Sequence, residues 1–206
     1  MNAPAPTGKQ LEIRDGEHVA VVTEVGANLR SYRVGERDVV TPFAQDQLPP
    51  ASHGAVLLPW PNRLGDGTYT WDGVEYQVPL NEHEPRRTAL HGLACWTRWD
   101  VLEHTESAVT LALDLVPTPG YPWALHTEIT YTVSHDGLEV RMTTRNDATS
   151  DAPYGAGFHP WLSPGGAELD ECTLRIDATE HVTVDSRLLP TGTEPASGEW
   201  DFTEHR

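Results

Sequence analysis

The sequence predicts an all-β domain of short antiparallel strands, on three observations. Turn-formers are abundant, with 17 glycines and 17 prolines in 206 residues, interspersed with Thr, Val, Trp and Tyr. Three consecutive segments between Val109 and Thr143 alternate apolar and polar side chains with a period of two. The dipeptide Asp72-Gly73, flanked by Thr68-Tyr69-Thr70-Trp71 and Val74-Glu75-Tyr76, is a two-residue hairpin signal. No segment of useful length carries a helical period. At this length a single domain is expected, over residues 11–206.

In chain order, residues 1–10 form a Pro/Ala-rich segment that reads as a disordered tail. His18 to Thr23 and Asn28 to Val34 form a hairpin around Gly26, and Pro42 to Pro59 reads as a long loop. After the Asp72-Gly73 hairpin comes a meander. Val109, Leu111, Leu113 and Leu115 share one face. Leu125, Thr127, Ile129, Tyr131 and Val133 share the next, and Leu138, Val140 and Met142 the third, with His135-Asp136-Gly137 as the turn before it. One face of this meander is expected to be buried. Later strands are expected over Leu169 to Asp177 and Val182 to Val184.

A formal net charge of −17 repels phosphate backbones and anionic lipid, which argues against nucleic-acid and membrane partners. Lys9 is the sole lysine, so neither a Schiff-base enzyme nor a phosphate-binding loop with its lysine fits. Cys95 and Cys172 form no C-x-x-C pair; two buried free thiols are expected, and a thiolate zinc site is excluded. The ten histidines include no H-x-H or H-E-x-x-H pattern and there is no G-x-S-x-G, so neither a metal nor a serine nucleophile is expected. Met1 to Gln10 carries no apolar signal region, and the expectation is a soluble cytoplasmic protein.

The residues that carry chemistry sit in Gly/Pro-bounded segments. His159, in Phe158-His159-Pro160-Trp161, follows Tyr154-Gly155-Ala156-Gly157. A histidine before proline is held in extended backbone, and it suits acid–base work near neutral pH. It equally suits packing in a turn. His91 lies between Leu90 and Gly92, and Asn62-Arg63 follows Leu58-Pro59-Trp60-Pro61. Arg63 can hydrogen-bond sugar hydroxyls through its rigid fork or pair with one of the 31 carboxylates. Trp60, Trp96, Trp99, Trp123 and Trp161 offer faces for a pyranose ring or bulk for a core; Trp161, beside His159, is assigned to substrate binding.

Leu58 to Leu64, Leu90-His91-Gly92 and Gly157 to Trp161, in this order, resemble the motifs of the aldose 1-epimerase (galactose mutarotase) family. The Trp71-Asp72-Gly73 hairpin and the Leu189-Pro190-Thr191-Gly192 and Asp201-Phe202 segments are similar as well. The resemblance spans about residues 11–206. It implies an antiparallel galactose mutarotase-like β-sandwich (supersandwich). It also implies a cofactor-free interconversion of the α and β anomers of a free hexose of the glucose or galactose class. His159 and His91 are the catalytic histidines it implies, with His159 as general acid at the ring oxygen. His91 and Arg63 bind and polarise the sugar, and Asn62 lines the pocket. In the family a glutamate near the C-terminus takes the C1 hydroxyl proton, after a substrate-binding aspartate. The chain ends at Arg206, ahead of both expected positions, and Glu194, Glu199 and Glu204 fall elsewhere in the family order. The sandwich is therefore expected to be C-terminally incomplete, with an exposed apolar face. Two other readings are a non-catalytic sugar binder on the same fold and a hexose-6-phosphate epimerase using Arg86-Arg87.

Overall fold

The structure, a computed structural model, describes residues 5–204. Four strands open the chain: β1 (Gln10–Asp15), β2 (His18–Thr23), β3 (Leu29–Val34) and β4 (Arg37–Asp38). Short strands follow as β5 (Ala55–Leu57), β6 (Arg63–Gly65), β7 (Thr68–Trp71), β8 (Val74–Gln77) and β9 (Thr88–Leu90). Then come β10 (Asp100–His104), β11 (Ala108–Leu115), β12 (Leu125–Ser134) and β13 (Gly137–Asn146), and finally β14 (Gly157–His159), β15 (Glu180–Val184) and β16 (Pro190–Pro195).

Two four-stranded antiparallel sheets, β1-β2-β3-β4 and β10-β11-β12-β13, carry the core between them. Period-two alternation aims Leu11 and Ile13 of β1 and Ala20 and Val22 of β2 at Val109, Leu111 and Leu113 of β11 and Ile129, Tyr131 and Val133 of β12; Leu29 and Tyr32 of β3, three residues apart, join them across a register shift in the β2–β3 ladder. The buried Tyr131 hydroxyl donates to the Ala27 carbonyl at 2.7 Å, tying the sheets together. The meander falls in the expected register: Leu111 faces Ile129 and Tyr131 faces Val140. At the β7–β8 hairpin, Asp72 and Gly73 both take positive φ (49° and 75°), as a two-residue turn requires.

Several expectations are corrected. Residues 7–10, read as part of a disordered tail, are ordered: Thr7 is buried and its carbonyl accepts the Val25 N–H at 2.9 Å, and Gln10 opens β1. Residues 1–4 lie outside the described residues. The loop from Pro42 to Pro59 contains β5 and a 3₁₀ turn at Pro50–Ser52. Leu169 to Asp177 forms no strand, only a 3₁₀ turn at Leu169–Glu171; the apolar residues Leu169, Leu174 and Ile176 are exposed there and have no sheet partner to reward extension. Cys95 is buried, which pushes its thiol up to about 11, but Cys172 is exposed; both are free. Of the tryptophans, Trp60, Trp99 and Trp123 are core, while Trp96, Trp161 and Trp200 are exposed.

Beyond Val133 no described residue is buried. Leu162, Val182, Val184 and Trp200 present apolar surface, as do the three residues of the failed strand. The β15–β16 hairpin is fastened to the body by Arg187, whose guanidinium donates to both Asp66 oxygens (3.0 and 3.2 Å) and to the carbonyls of Arg86 and Arg87 (2.8 and 2.9 Å). No helix among the described residues is long and apolar enough to cross a membrane.

Candidate functional site

Two short ladders bring the motif residues together. In the first, β6 pairs with β9 so that Arg63 faces Leu90, which places Asn62 and Arg63 beside His91. In the second, β5 pairs with β14 so that His159 faces Ala55. A parallel bridge between Leu58 and Gly92 links the two. Only glycine fits at 92: its φ is 74°, and a Cβ there would lie 2.0 Å from the Leu58 carbonyl oxygen. Gly157 lets β14 lie against Pro61, whose Cβ would be 3.2 Å from a Cβ at 157.

His91 and Asn62 interlock. Both adopt positive φ (64° and 55°). The His91 N–H donates to the Asn62 carbonyl at 2.8 Å, and the Asn62 N–H donates back to His91 Nδ1 at 3.2 Å. Side chains rarely take this backbone region, and its cost of about 1–3 kcal/mol per residue persists where the surroundings dictate it. Nδ1 is an acceptor here, so the His91 proton sits on Nε2. Burial, together with the nearby His159 and Arg63, lowers the His91 pKa to about 4, so the ring is neutral at neutral pH.

Arg63 uses both readings of its sequence context at once. Its Nε and Nη2 donate to the two Glu82 oxygens at 2.7 and 3.1 Å, while Nη1 donates to Asn62 Oδ1 at 3.0 Å. Glu82 also accepts from Thr88 Oγ1 at 2.5 Å and Arg86 Nη1 at 3.0 Å. These bonds, those from Arg63 first, hold its carboxyl at about 2 against the opposing effect of burial. Such a carboxylate anchors an arginine and is a poor proton acceptor. Arg86 pairs with Glu82 at 3.0 Å, and the exposed Arg87 lies 3.7 Å from Asp66 and 3.6 Å from Glu84.

The rings of His91 and His159 meet edge to face with centroids 5.3 Å apart. Trp161 stacks beyond His159 at 6.3 Å, and His53 packs on Trp161 at 4.5 Å. All five expected residues, Asn62, Arg63, His91, His159 and Trp161, thus fall in one cluster. Sequence reasoning missed Glu82 and His53. Glu82 is one acidic residue among 31, with no spacing that marks it. His53 lies in the segment Pro42 to Pro59, read as a long loop, where only its nearness to Gly54 and β5 is a signal.

In comparison with known proteins, residues 9–206 match the family model of the aldose 1-epimerases. The chain is 37% identical over 186 residues to the uncharacterized protein YihR of Escherichia coli (strain K12), covering 90% of this chain and 60% of that protein. It is 27% identical over 201 residues to the galactose mutarotase of Rattus norvegicus, covering 89% and 56%. Among solved structures, a GalM/aldose epimerase homologue from C. elegans superposes with a TM-score of 0.84 at 22% identity, over 96% of this chain and 65% of that one. The galactose 1-epimerase of Lactobacillus acidophilus gives 0.79 at 18% identity, over 94% and 60%. The chain therefore spans about three fifths of the length of these relatives. With its sheet order, its clustered motifs and these matches in agreement, the chain belongs to the aldose 1-epimerase family.

Proposed function

We propose that the protein acts on a free hexose of the glucose or galactose class, interconverting its α and β anomers without a cofactor. One observation carries this reading. His159, His91, Arg63 and Asn62, separated by up to 97 positions, form a single cluster of hydrogen-bond donors with one neutral histidine at its centre. Such a cluster suits uncharged hydroxyl and ring oxygens. Arg63, held from behind by Glu82, presents a fixed fork to hydroxyls, and Asn62 Oδ1 fixes its third nitrogen. His91 donates from Nε2 and His159 serves as acid at the ring oxygen. In this reaction a base takes the C1 hydroxyl proton and the bond between C1 and the ring oxygen breaks. The aldehyde rotates and the ring closes on its other face. Acid and base acting together avoid a free oxocarbenium and a free alkoxide.

The test is His159→Ala. Its expected effect is a loss of about 10²–10⁴-fold in the rate of anomer exchange, with hexose still bound. Unchanged exchange removes His159 from the chemistry. A second reading, sugar binding without turnover, is favoured by Glu82. This carboxylate bonds to the site residue Arg63 but is committed to three donor residues and held at about 2, so it does not serve as the base. Hexose binding without any acceleration of exchange supports that reading.

A further inference from the structure

The segment Leu189-Pro190-Thr191-Gly192 lies outside the histidine cluster. It leads into β16, in a hairpin with little apolar contact: no residue of β15 or β16 is buried. A two-stranded hairpin of this kind is not stable by itself. Its connecting turn is nevertheless well made. The N–H groups of Arg187 and Leu189 both donate to Asp185 Oδ1, at 2.8 and 2.9 Å, and the Leu188 N–H donates to the Asp185 carbonyl at 3.0 Å. That turn presents Arg187 to the body of the protein.

The Arg187 guanidinium joins two elements. On one side Nη1 and Nη2 donate to the two oxygens of Asp66, at 3.2 and 3.0 Å, just past the end of β6. This holds the Asp66 carboxyl below the usual carboxylate range. On the other side Nε donates to the Arg86 carbonyl at 2.8 Å and Nη2 to the Arg87 carbonyl at 2.9 Å. Leu189 comes in close beside it, since a Cβ at Gly65 would lie 2.9 Å from Leu189 Cδ1.

The two elements carry the two partners of one ion pair. β6 begins at Arg63, three residues before Asp66. The turn 82–88 is closed by the N–H groups of Glu82 and Thr88, each donating to the other residue's carbonyl at 3.1 Å, and it carries Glu82 and Arg86. Glu82 holds Arg63 through two oxygens, and Arg86 braces Glu82 at 3.0 Å. Arg87 takes a positive φ of 47° in this turn, a backbone state that persists where its surroundings dictate it. Arg187 thus sits across the joint between the strand of Arg63 and the turn of Glu82.

We propose that Arg187 is a positioning residue for sugar binding: it clamps β6 to the turn 82–88 and so fixes the Arg63–Glu82 pair in the geometry that presents Arg63 to the sugar. This rests on the aldose reading above. It gives the β15–β16 hairpin a part in affinity rather than in acid–base chemistry, because the side-chain bonds of Arg187 go to Asp66, Arg86 and Arg87 and not to the histidines. A lysine lacks the planar fork that meets a carboxylate bidentately, so charge alone does not reproduce the clamp.

The experiment is ¹⁵N NMR of the arginine Nε–H groups in the full chain at neutral pH, with Arg63 assigned by the signal lost in Arg63→Lys. The wild-type Arg63 Nε–H, donated to Glu82 at 2.7 Å, is expected to exchange slowly with water. In Arg187→Ala it is expected to exchange clearly faster while β11 and β12 stay protected. The KM for hexose is expected to rise about 2–10-fold, what one hydrogen bond contributes, with kcat kept. Asp66→Asn weakens the clamp from its other side and is expected to move both readouts in the same direction; it decides the question if Arg187→Ala does not fold. An Arg63 Nε–H as protected in the variants as in wild type overturns the proposal, because a merely structural clasp would loosen β15 and β16 and leave Arg63 as it was. A wild-type Arg63 Nε–H in fast exchange, or a loss confined to kcat, overturns it as well. Where no chain exchanges anomers but Arg63 is protected in wild type and released in Arg187→Ala, the clamp stands and the aldose reading falls.

Discussion

Glu82→Gln isolates the ion-pair cluster behind the site. The substitution keeps the shape of the side chain, removes its charge, and leaves Arg63 and Arg86 without their shared carboxylate. In the folded chain that carboxyl sits at about 2, against an ordinary 4.5. A displacement of that size corresponds to at most about 3 kcal/mol. Partial contact with solvent reduces the expected cost to about 1–2 kcal/mol. Because the folded value is depressed, the stabilisation is fully present above pH 4.5 and is lost as pH falls towards 2. By pH 3.5 roughly two fifths of it is gone. Urea denaturation of wild type and Glu82→Gln at pH 7, 5 and 3.5 reads this directly as the gap in midpoint at constant slope. The gap is expected to be widest at pH 7, nearly unchanged at pH 5 and clearly narrower at pH 3.5. No gap at pH 7, or one of equal size at pH 3.5, refutes the assignment of Glu82 as the anchor of Arg63.

Tyr131→Phe leaves the Ala27 carbonyl without its inter-sheet donor, and chemical denaturation is expected to show a loss of about 1–3 kcal/mol with the fold intact. Arg187→Ala removes the clasp on Asp66 and on the Arg86 and Arg87 carbonyls; hydrogen exchange is expected to accelerate in β15 and β16 while β11 and β12 stay protected. His91 is held near 4 against an ordinary 6.5, so the unfolded chain binds more protons between those values and His91 erodes stability as pH falls from 6.5 to 4. His91→Asn is expected to flatten that part of the stability–pH curve, and an unaltered curve would mean that His91 is not buried neutral.

What was legible in the sequence was local. Strands β2, β3, β7, β8, β11, β12 and β13 announce themselves by alternation or by a turn dipeptide, because their partners lie within a few residues. The pairing of β5 with β14 joins Ala55 to His159 across about a hundred positions, and no local pattern encodes it. Three-residue strands such as β6 and β9 are too short for a period to show. The apolar content of Leu169 to Asp177 suggests a strand, yet extension is stable only in a ladder, and among the described residues the segment joins no sheet; the Ile176 N–H alone reaches the Phe202 carbonyl, at 2.7 Å. The five residues of the candidate cluster stand out in the sequence because Gly and Pro frame them and their motifs resemble a known family. Their geometry was not: the Asn62–His91 interlock depends on two positive φ values in residues other than glycine, and Glu82 and His53 are identified only by what they touch.

In the proposed reaction this cluster opens and recloses an aldose ring. Polarimetry on freshly dissolved α-D-glucose and α-D-galactose, with the folded chain against a buffer control, tests it most directly. The approach to anomeric equilibrium is expected to be faster than in buffer for at least one of the two sugars, and that acceleration to disappear in His159→Ala. A folded chain that leaves both rates at the buffer value, or a His159→Ala variant as fast as wild type, would contradict it.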